Sequence, residues 1–273
     1  LSDDRPLALP GERVRVQPSA IELIDQCGLR WMLERHGGSE PSGISQQVGN
    51  LVHAAAEEAA RRPDADPETV MREFIDAHAG LLPYESPWRQ RQEREDLRTM
   101  TSNYLAWLRG NDRELVAVET EFRVKLPEHP PGVTVELSGK VDRLERDALG
   151  GLHVVDLKTG KSKPSLKEAA ANPQLAAYQL AVQQGGFAGV SDSLVAAGAS
   201  LVFVRDGNRA TGASVREQEP PGAEGADEAR QKVLRAAQSM TKSAFLAVHS
   251  DKCGSCAVKQ CCPISGKGRT VTD

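Results

Sequence analysis

Two short stretches carry residues suited to phosphate chemistry: Gly139-Lys140-Val141-Asp142-Arg143 and Val155-Asp156-Leu157-Lys158-Thr159-Gly160. Side chains alternate along a strand, so Asp156 and Lys158 fall on one face. Between the stretches lies Asp147-Ala148-Leu149-Gly150-Gly151. A three-residue loop, Ala148-Leu149-Gly150, with Gly150 in the left-handed position, closes a hairpin that sets Asp142 opposite Asp156. Like charges facing each other across strands destabilise a sheet. A divalent cation removes that repulsion, and oxygen ligands of this kind favour Mg²⁺ or Mn²⁺. Such an ion polarises a phosphoryl oxygen and lowers the pKa of a bound water, the requirements of phosphodiester hydrolysis. Lys158 would orient that water or stabilise the charge that develops. A lone Asp-x-Lys would read as solvated surface charge; two acids in register weaken that reading.

The cysteines offer a second chemistry. Cys27 stands alone, while Cys253, Cys256, Cys261 and Cys262 crowd the far end. In a chain without an export signal, that crowding points to metal ligation and away from a disulfide framework. Soft sulfur suits Zn²⁺ as well as iron–sulfur clusters, and the spacing alone leaves both open. Either metal, if it used Cys27, would join residues more than two hundred apart in sequence.

These groups need elements to hold them. Ser19-Ala20-Ile21-Glu22 has the capping-box pattern, Ile21, Ile24, Leu29 and Met32 follow at roughly helical spacing, and Gly37-Gly38 closes that helix. A second helix is expected from about Gln46 through Arg62, carrying His53. Asp66-Pro67 caps a third, to about His78, and Pro87 to Arg109 makes a long charged fourth. Alternation then takes over: Val116–Leu126, Val133–Leu144 and Leu152–Lys158 read as strands of a mainly antiparallel hairpin sheet. Asn172-Pro173 opens a helix through about Gln184, Ser200–Val204 is a short strand, and Ala226–Val248 is a final long helix. Gly185–Gly198 and Asp206–Gly225 read as loops. The order gives an α/β (α+β) fold with a large helical N-terminal part and a Cys-rich C-terminal segment.

A chain of 273 residues suits one enlarged domain better than two small ones, and 39% hydrophobic with 26% charged residues is ordinary for a soluble globular protein. No apolar run approaches the ~18–20 residues of a membrane span, and the start lacks a signal-peptide pattern. No membrane partner and a cytoplasmic location are therefore expected. The chain opens on Leu1, which suggests a piece of something longer, and Ser2–Pro10 reads as a polar lead-in. The net charge of −4 announces no nucleic-acid partner, yet a basic groove can coexist with an acidic surface. Lys158, Lys161, Lys163 and Lys167 cluster after the acidic hairpin, and Arg89, Arg91, Arg94 and Arg98 form a row on the long helix. Both sets could meet phosphates, with Trp88 or Trp107 stacking on a base.

Taken in order, Gly49-Asn50-Leu51-Val52-His53, Gly139-Lys140-Val141-Asp142, Asp156-Leu157-Lys158 and Gln174-Leu175-Ala176-Ala177-Tyr178 form a series. Cys27-Gly28-Leu29-Arg30-Trp31 and Cys253-x2-Cys256-x5-Cys262-Pro263 frame it. The series resembles the RecB-like branch of the PD-(D/E)XK nucleases, which includes the nuclease domains of AddAB- and AdnAB-type helicase–nucleases. The Cys27-to-Gly38 pattern looks especially like the C-terminal module of AdnAB-type subunits. Asp156 departs from the commonest pattern, standing where many relatives carry Glu; the reach shortens by one methylene and the charge is kept.

The resemblance implies a restriction-endonuclease-like core sheet flanked by helices. The nuclease domain would span 18–263, with a helical part 18–112, a catalytic core 113–205 and a final helix with the cluster segment 226–263; 1–17 would be a linker and 264–273 a tail. His53, Asp142 and Asp156, with the main-chain carbonyl of Leu157, would hold Mg²⁺ or Mn²⁺. Lys158 would be the catalytic lysine, and Gln174 and Tyr178, one helical turn apart, would position the DNA backbone or the active-site groups. Lys161 and Lys163 would contact DNA. Cys27, Cys253, Cys256 and Cys262 would carry a structural [4Fe–4S] cluster, with Zn²⁺ the alternative; Cys261 is spare because Pro263 follows Cys262. The implied activity is that of a Mg/Mn-dependent deoxyribonuclease with a preference for single strands, the nuclease module of a DNA-end-resecting helicase–nuclease in double-strand break repair. The chain holds no P-loop, so a helicase motor would lie in the parent chain, beside a partner subunit. The rival is a catalytically idle DNA-binding or scaffold module stabilised by a metal.

Overall fold

A computed structural model of the chain describes residues 6–9, 11–38, 43–127, 133–208 and 210–266. The lead-in Ser2–Pro10 and the tail 264–273 lie largely outside the described residues. In chain order the elements begin with β1 (Arg13–Val16), α1 (Pro18–Gln26), α2 (Gly28–Arg35), α3 (Ile44–Arg61), α4 (Pro67–His78) and α5 (Pro87–Arg109). There follow β2 (Glu114–Lys125), β3 (Thr134–Arg146), β4 (Leu152–Lys158), α6 (Leu166–Ala170), α7 (Pro173–Gln183), β5 (Ala196–Asn208), β6 (Gly212–Gln218) and α8 (Ala223–Met240). Strands pair in the order β1-β3-β4-β5-β6, with β2 beside β3, in a mixed sheet flanked by helices.

Three helices that start on proline, α4, α5 and α7, begin where the sequence says they should. Asp66 accepts the Thr69 N–H at 2.9 Å ahead of Pro67, Ser86 the Arg89 N–H ahead of Pro87, and Asn172 the Leu175 N–H ahead of Pro173. Each cap satisfies a donor the helix leaves open and contributes about 1 kcal/mol. The hairpin also follows expectation. Gly150 has φ +86°, the Asp147 N–H reaches the Gly151 carbonyl, and Arg143 pairs with Val155.

Other elements differ from the sequence reading. The first helix starts at Pro18, with Gln17 in the capping position, and breaks at Cys27, whose backbone is extended (φ −163°, ψ 103°). The predicted long C-terminal helix stops at Met240. Residues beyond it are taken by α2 instead: the Leu246 carbonyl accepts the Leu29 N–H at 3.1 Å, and Phe245 packs on Trp31. The stretch 206–225 is not one loop: it holds the end of β5, all of β6, antiparallel to β5, and the start of α8. The sheet is mixed and not mainly antiparallel, because β1–β3 and β4–β5 are parallel. Arg13–Val16, ahead of the predicted first helix, form a strand.

The chain divides into two compact units, one of Leu1–Pro41, Arg123–Gly139 and Ala223–Asp273, the other of Ser42–Phe122 and Lys140–Gly222. The second is built around a cluster from α3, α4, α5 and the strands: Val48, Val52, Met71, Leu97, Met100, Val155, Leu157, Val202 and Val204 are all within it and buried. Burying one such side chain stabilises by roughly 1.5–3 kcal/mol. Alternation along β4 therefore has a consequence. Val155 and Leu157 turn into this cluster, and Asp156 between them turns toward α7, where Gln174 and Tyr178 meet it. No helix among the described residues is long and apolar enough to cross a membrane.

Candidate metal and catalytic site

The hairpin register runs from Arg146–Leu152 to Arg143–Val155, and one residue further on the Leu157 N–H donates to Asp142 Oδ2 at 2.6 Å. Asp142 Oδ1 lies 3.4 Å from His53 Nδ1. His53 is brought there by Gly49, one turn earlier on α3: a Cβ at Gly49 would collide with Thr159 Oγ1, directly after Lys158. The Gly-x-x-x-His spacing thus has a steric cause, since only glycine lets α3 approach the end of β4.

Asp156 is almost wholly buried. Its Oδ1 accepts hydrogen bonds from Gln174 Nε2 (2.9 Å) and the Tyr178 hydroxyl (3.1 Å), and Gln174 Nε2 is also 3.0 Å from that hydroxyl. Lys158 Nζ stands 2.6 Å from Asp156 Oδ2 and 3.4 Å from Gln174 Oε1. The Oδ2 contact is an ion pair without hydrogen-bond geometry, so this buried oxygen lacks a directed donor. Burial raises the Asp156 carboxyl above its ordinary pKa; Lys158 opposes the rise and Asp142 reinforces it. Burial likewise raises the Tyr178 phenol, with the Asp156 charge adding to it, so the phenol stays a neutral donor. At His53 burial pulls the other way, yet the hydrogen bond and charge of Asp142, with Asp156 and Glu119, leave the net pKa raised. The site is thus a negative pocket that favours a bound positive charge.

The structure also brings in a residue the sequence reading missed. Ligand atoms of His53, Glu119 and Asp142 all lie within 4.8 Å of one another, the one such group of His, Cys, Asp or Glu among the described residues. Glu119 sits in β2 with φ +48°, a left-handed conformation uncommon for a side-chain-bearing residue. The donor set, an imidazole and carboxylates with a further buried carboxylate oxygen beside it, fits a divalent cation such as Mg²⁺ or Mn²⁺.

The predicted DNA contacts are less uniform. Lys161 and Lys163 follow β4 on the surface, but Lys163 is paired with Asp206 at 2.6 Å. On α5, Arg89 pairs with Glu93 and Arg98 with Glu95. Trp88 is exposed, whereas Trp107 is buried against Tyr104, so base stacking by Trp107 is excluded. Its place in the α5 row does not decide its exposure; the core it faces does.

In the other unit, Cys27, Cys253, Cys256 and Cys262 line one cavity of about 190 Å³, with Arg30, Lys252 and Lys259 around it. Cys261 is exposed and does not line it. The break at Cys27 puts its Sγ 3.9 Å from the Leu246 carbonyl, and Cys253 Sγ accepts the Ser250 N–H at 3.3 Å. The sulfurs form no trio as tight as His53, Glu119 and Asp142. Four sulfur donors around one cavity form a set that could hold a metal, and their chemistry suits Zn²⁺ and iron–sulfur groups alike.

The sequence profile of the PD-(D/E)XK nuclease superfamily matches residues 15–263. None of the curated proteins matches the chain. The solved structure described as "Crystal structure of SSO0001" aligns over 80% of this chain and 85% of its own, at 17% identity and a TM-score of 0.37, too loose a superposition to argue from.

Proposed function

Because the chain belongs to the PD-(D/E)XK nuclease superfamily, whose members are metal-dependent nucleases, we propose that it is a Mg²⁺- or Mn²⁺-dependent deoxyribonuclease. The observation that carries the proposal is the meeting of two acids and a lysine at the end of the hairpin: Asp142 Oδ2 accepts the Leu157 N–H, and Lys158 stands 2.6 Å from Asp156. When bound, the cation supplies Lewis-acid polarisation of the scissile phosphate. The chain's own residues do the rest. Asp142, Asp156 and His53, with the Leu157 carbonyl, hold the cation. Lys158 places a positive charge where negative charge develops at phosphorus. Gln174 and Tyr178 fix Asp156 through its Oδ1, so that Oδ2 keeps its direction.

In this reading the chain is the nuclease module of a DNA-end-resecting helicase–nuclease, working beside a motor and a partner subunit on single strands. Lys161 and Lys163 hold the strand by its phosphates, which positions DNA without reading its sequence. The four thiols around the 190 Å³ cavity carry a structural [4Fe–4S] cluster. The test is direct. Asp142→Asn, Asp156→Asn and Lys158→Met should each lower cleavage of single-stranded DNA by roughly 10³-fold or more, the loss typical of one group that acts on developing charge. Folding, followed by circular dichroism, should be kept. Wild-type rates in any of the three would remove that residue from the chemistry.

A further inference from the structure

Glu119 belongs to none of the motifs that mark the acidic hairpin, yet its carboxylate shares a 4.8 Å group with His53 and Asp142. Those three residues line a cavity of about 20 Å³, walled by Tyr104 and Trp107. That is room for about one water-sized particle and no more. Asp156 Oδ1 is held by Gln174 and Tyr178, while Oδ2, 2.6 Å from Lys158, has no directed donor. Asp142 Oδ1, by contrast, faces His53. Glu119 therefore joins His53 and Asp142 around one small space, as a donor in addition to the Asp156 of the reading above.

We infer that Glu119 is a ligand of the catalytic cation, and that the Lys140 ammonium competes with the cation for the Glu119 carboxylate. The inference rests on the metal-dependent reading above. Glu119 is mostly buried and pairs with Lys140, which is half-exposed on β3. A lysine ammonium is a monovalent point charge on a flexible stem, well hydrated when it swings out, so it can give up the carboxylate without leaving a buried charge behind. A divalent cation gains twice the charge interaction at the same oxygen and adds His53 and Asp142 as further donors. The imidazole in the set favours Mn²⁺ over Mg²⁺, since nitrogen ligands suit the later metal better.

The experiment is a titration of Mn²⁺ into DNA-free protein, read by the electron paramagnetic resonance of the free ion and by calorimetry. Wild type should bind Mn²⁺. Glu119→Gln should bind it at least about tenfold more weakly, at the low end of what tuning a metal's surroundings costs. Lys140→Met should bind it roughly two- to fivefold more tightly, the scale of one exposed ion pair removed as competitor. Thermal unfolding in EDTA guards against a folding defect in Glu119→Gln, and Lys140→Met tests the competition without touching a ligand. Unchanged affinity in Glu119→Gln, beside a wild type that binds and cleaves, would overturn the ligand role and leave the nuclease reading standing. Weaker or equal binding by Lys140→Met would overturn the competition. A wild type that binds no Mn²⁺ would sink both this inference and the metal-dependent reading.

Discussion

The cavity between His53, Glu119 and Asp142 is about 20 Å³, whereas the one between Cys27, Cys253, Cys256 and Cys262 is about 190 Å³. The first is walled by strands and two helices, α3 and α5, whose apolar sides are locked into a core, and its donors are hard oxygens and one imidazole. The second is walled by a helix break, extended chain and two short 3₁₀ turns, and its donors are soft sulfurs. Asp142 is held by the Leu157 N–H, and Asp156 by Gln174 and Tyr178. Leu246, Val248 and Ile264, near the thiols, are instead substantially exposed, and Val258 is the buried apolar residue of the 3₁₀ segment. The first place is held by core packing around hard donors; the second is roomier and less packed, so in the proposed reading its metal group would supply the cross-link.

That contrast breaks first at the cysteines. Protein purified without oxygen should carry about four iron atoms and be brown. Cys27→Ser, Cys253→Ser, Cys256→Ser or Cys262→Ser should lose the iron and melt earlier, while Cys261→Ser should match wild type. Equal iron in all five variants, or one zinc and no iron, would contradict the cluster.

A smaller effect sharpens the other side. Gly49→Ala should push α3 off Thr159, costing about 1–3 kcal/mol as overpacking does, and lower cleavage by moving His53. Its iron content should not change. Wild-type melting together with wild-type cleavage would mean that the Gly49–Thr159 contact positions nothing.

The smallest expected effect concerns DNA. Reversing the charge of Lys161 and Lys163 should flatten the salt dependence of single-strand binding by roughly 0.7 log units per lost contact, equally on every sequence. Lys161 should carry the larger share, because Lys163 already has Asp206 as a partner. A slope equal to wild type, or a loss confined to one sequence, would mark the loop as solvated charge.

The hairpin that carries Asp142 and Asp156 was largely legible in the sequence because local rules fix it. Gly150 dictates the loop length, the loop dictates the register, and alternation dictates that Asp156 and Lys158 share a face. Asp66-Pro67, Ser86-Pro87 and Asn172-Pro173 mark helix starts by chemistry that needs no tertiary partner. Glu119 escaped because nothing local separates it from Glu121, two residues on with the same parity; no residue type there signals its left-handed backbone, φ +48°. The break at Cys27 and the early end of α8 escaped for a related reason. Leu246 and Phe245 satisfy α2 in place of a helix of their own, a contact across more than two hundred residues that no window along the chain contains.

The central claim is that a hard cation on Asp142 and Asp156 does the chemistry while the thiols hold structure. It is tested most directly by cleaving single-stranded DNA with anaerobically purified wild type and Asp156→Asn, with EDTA and then with excess Mn²⁺, while iron is measured in every sample. The account predicts that EDTA stops wild-type cleavage with the iron retained, that Mn²⁺ restores it, and that Asp156→Asn stays inactive with full iron. Cleavage that survives EDTA, or an Asp156→Asn variant that cuts at the wild-type rate, would contradict it.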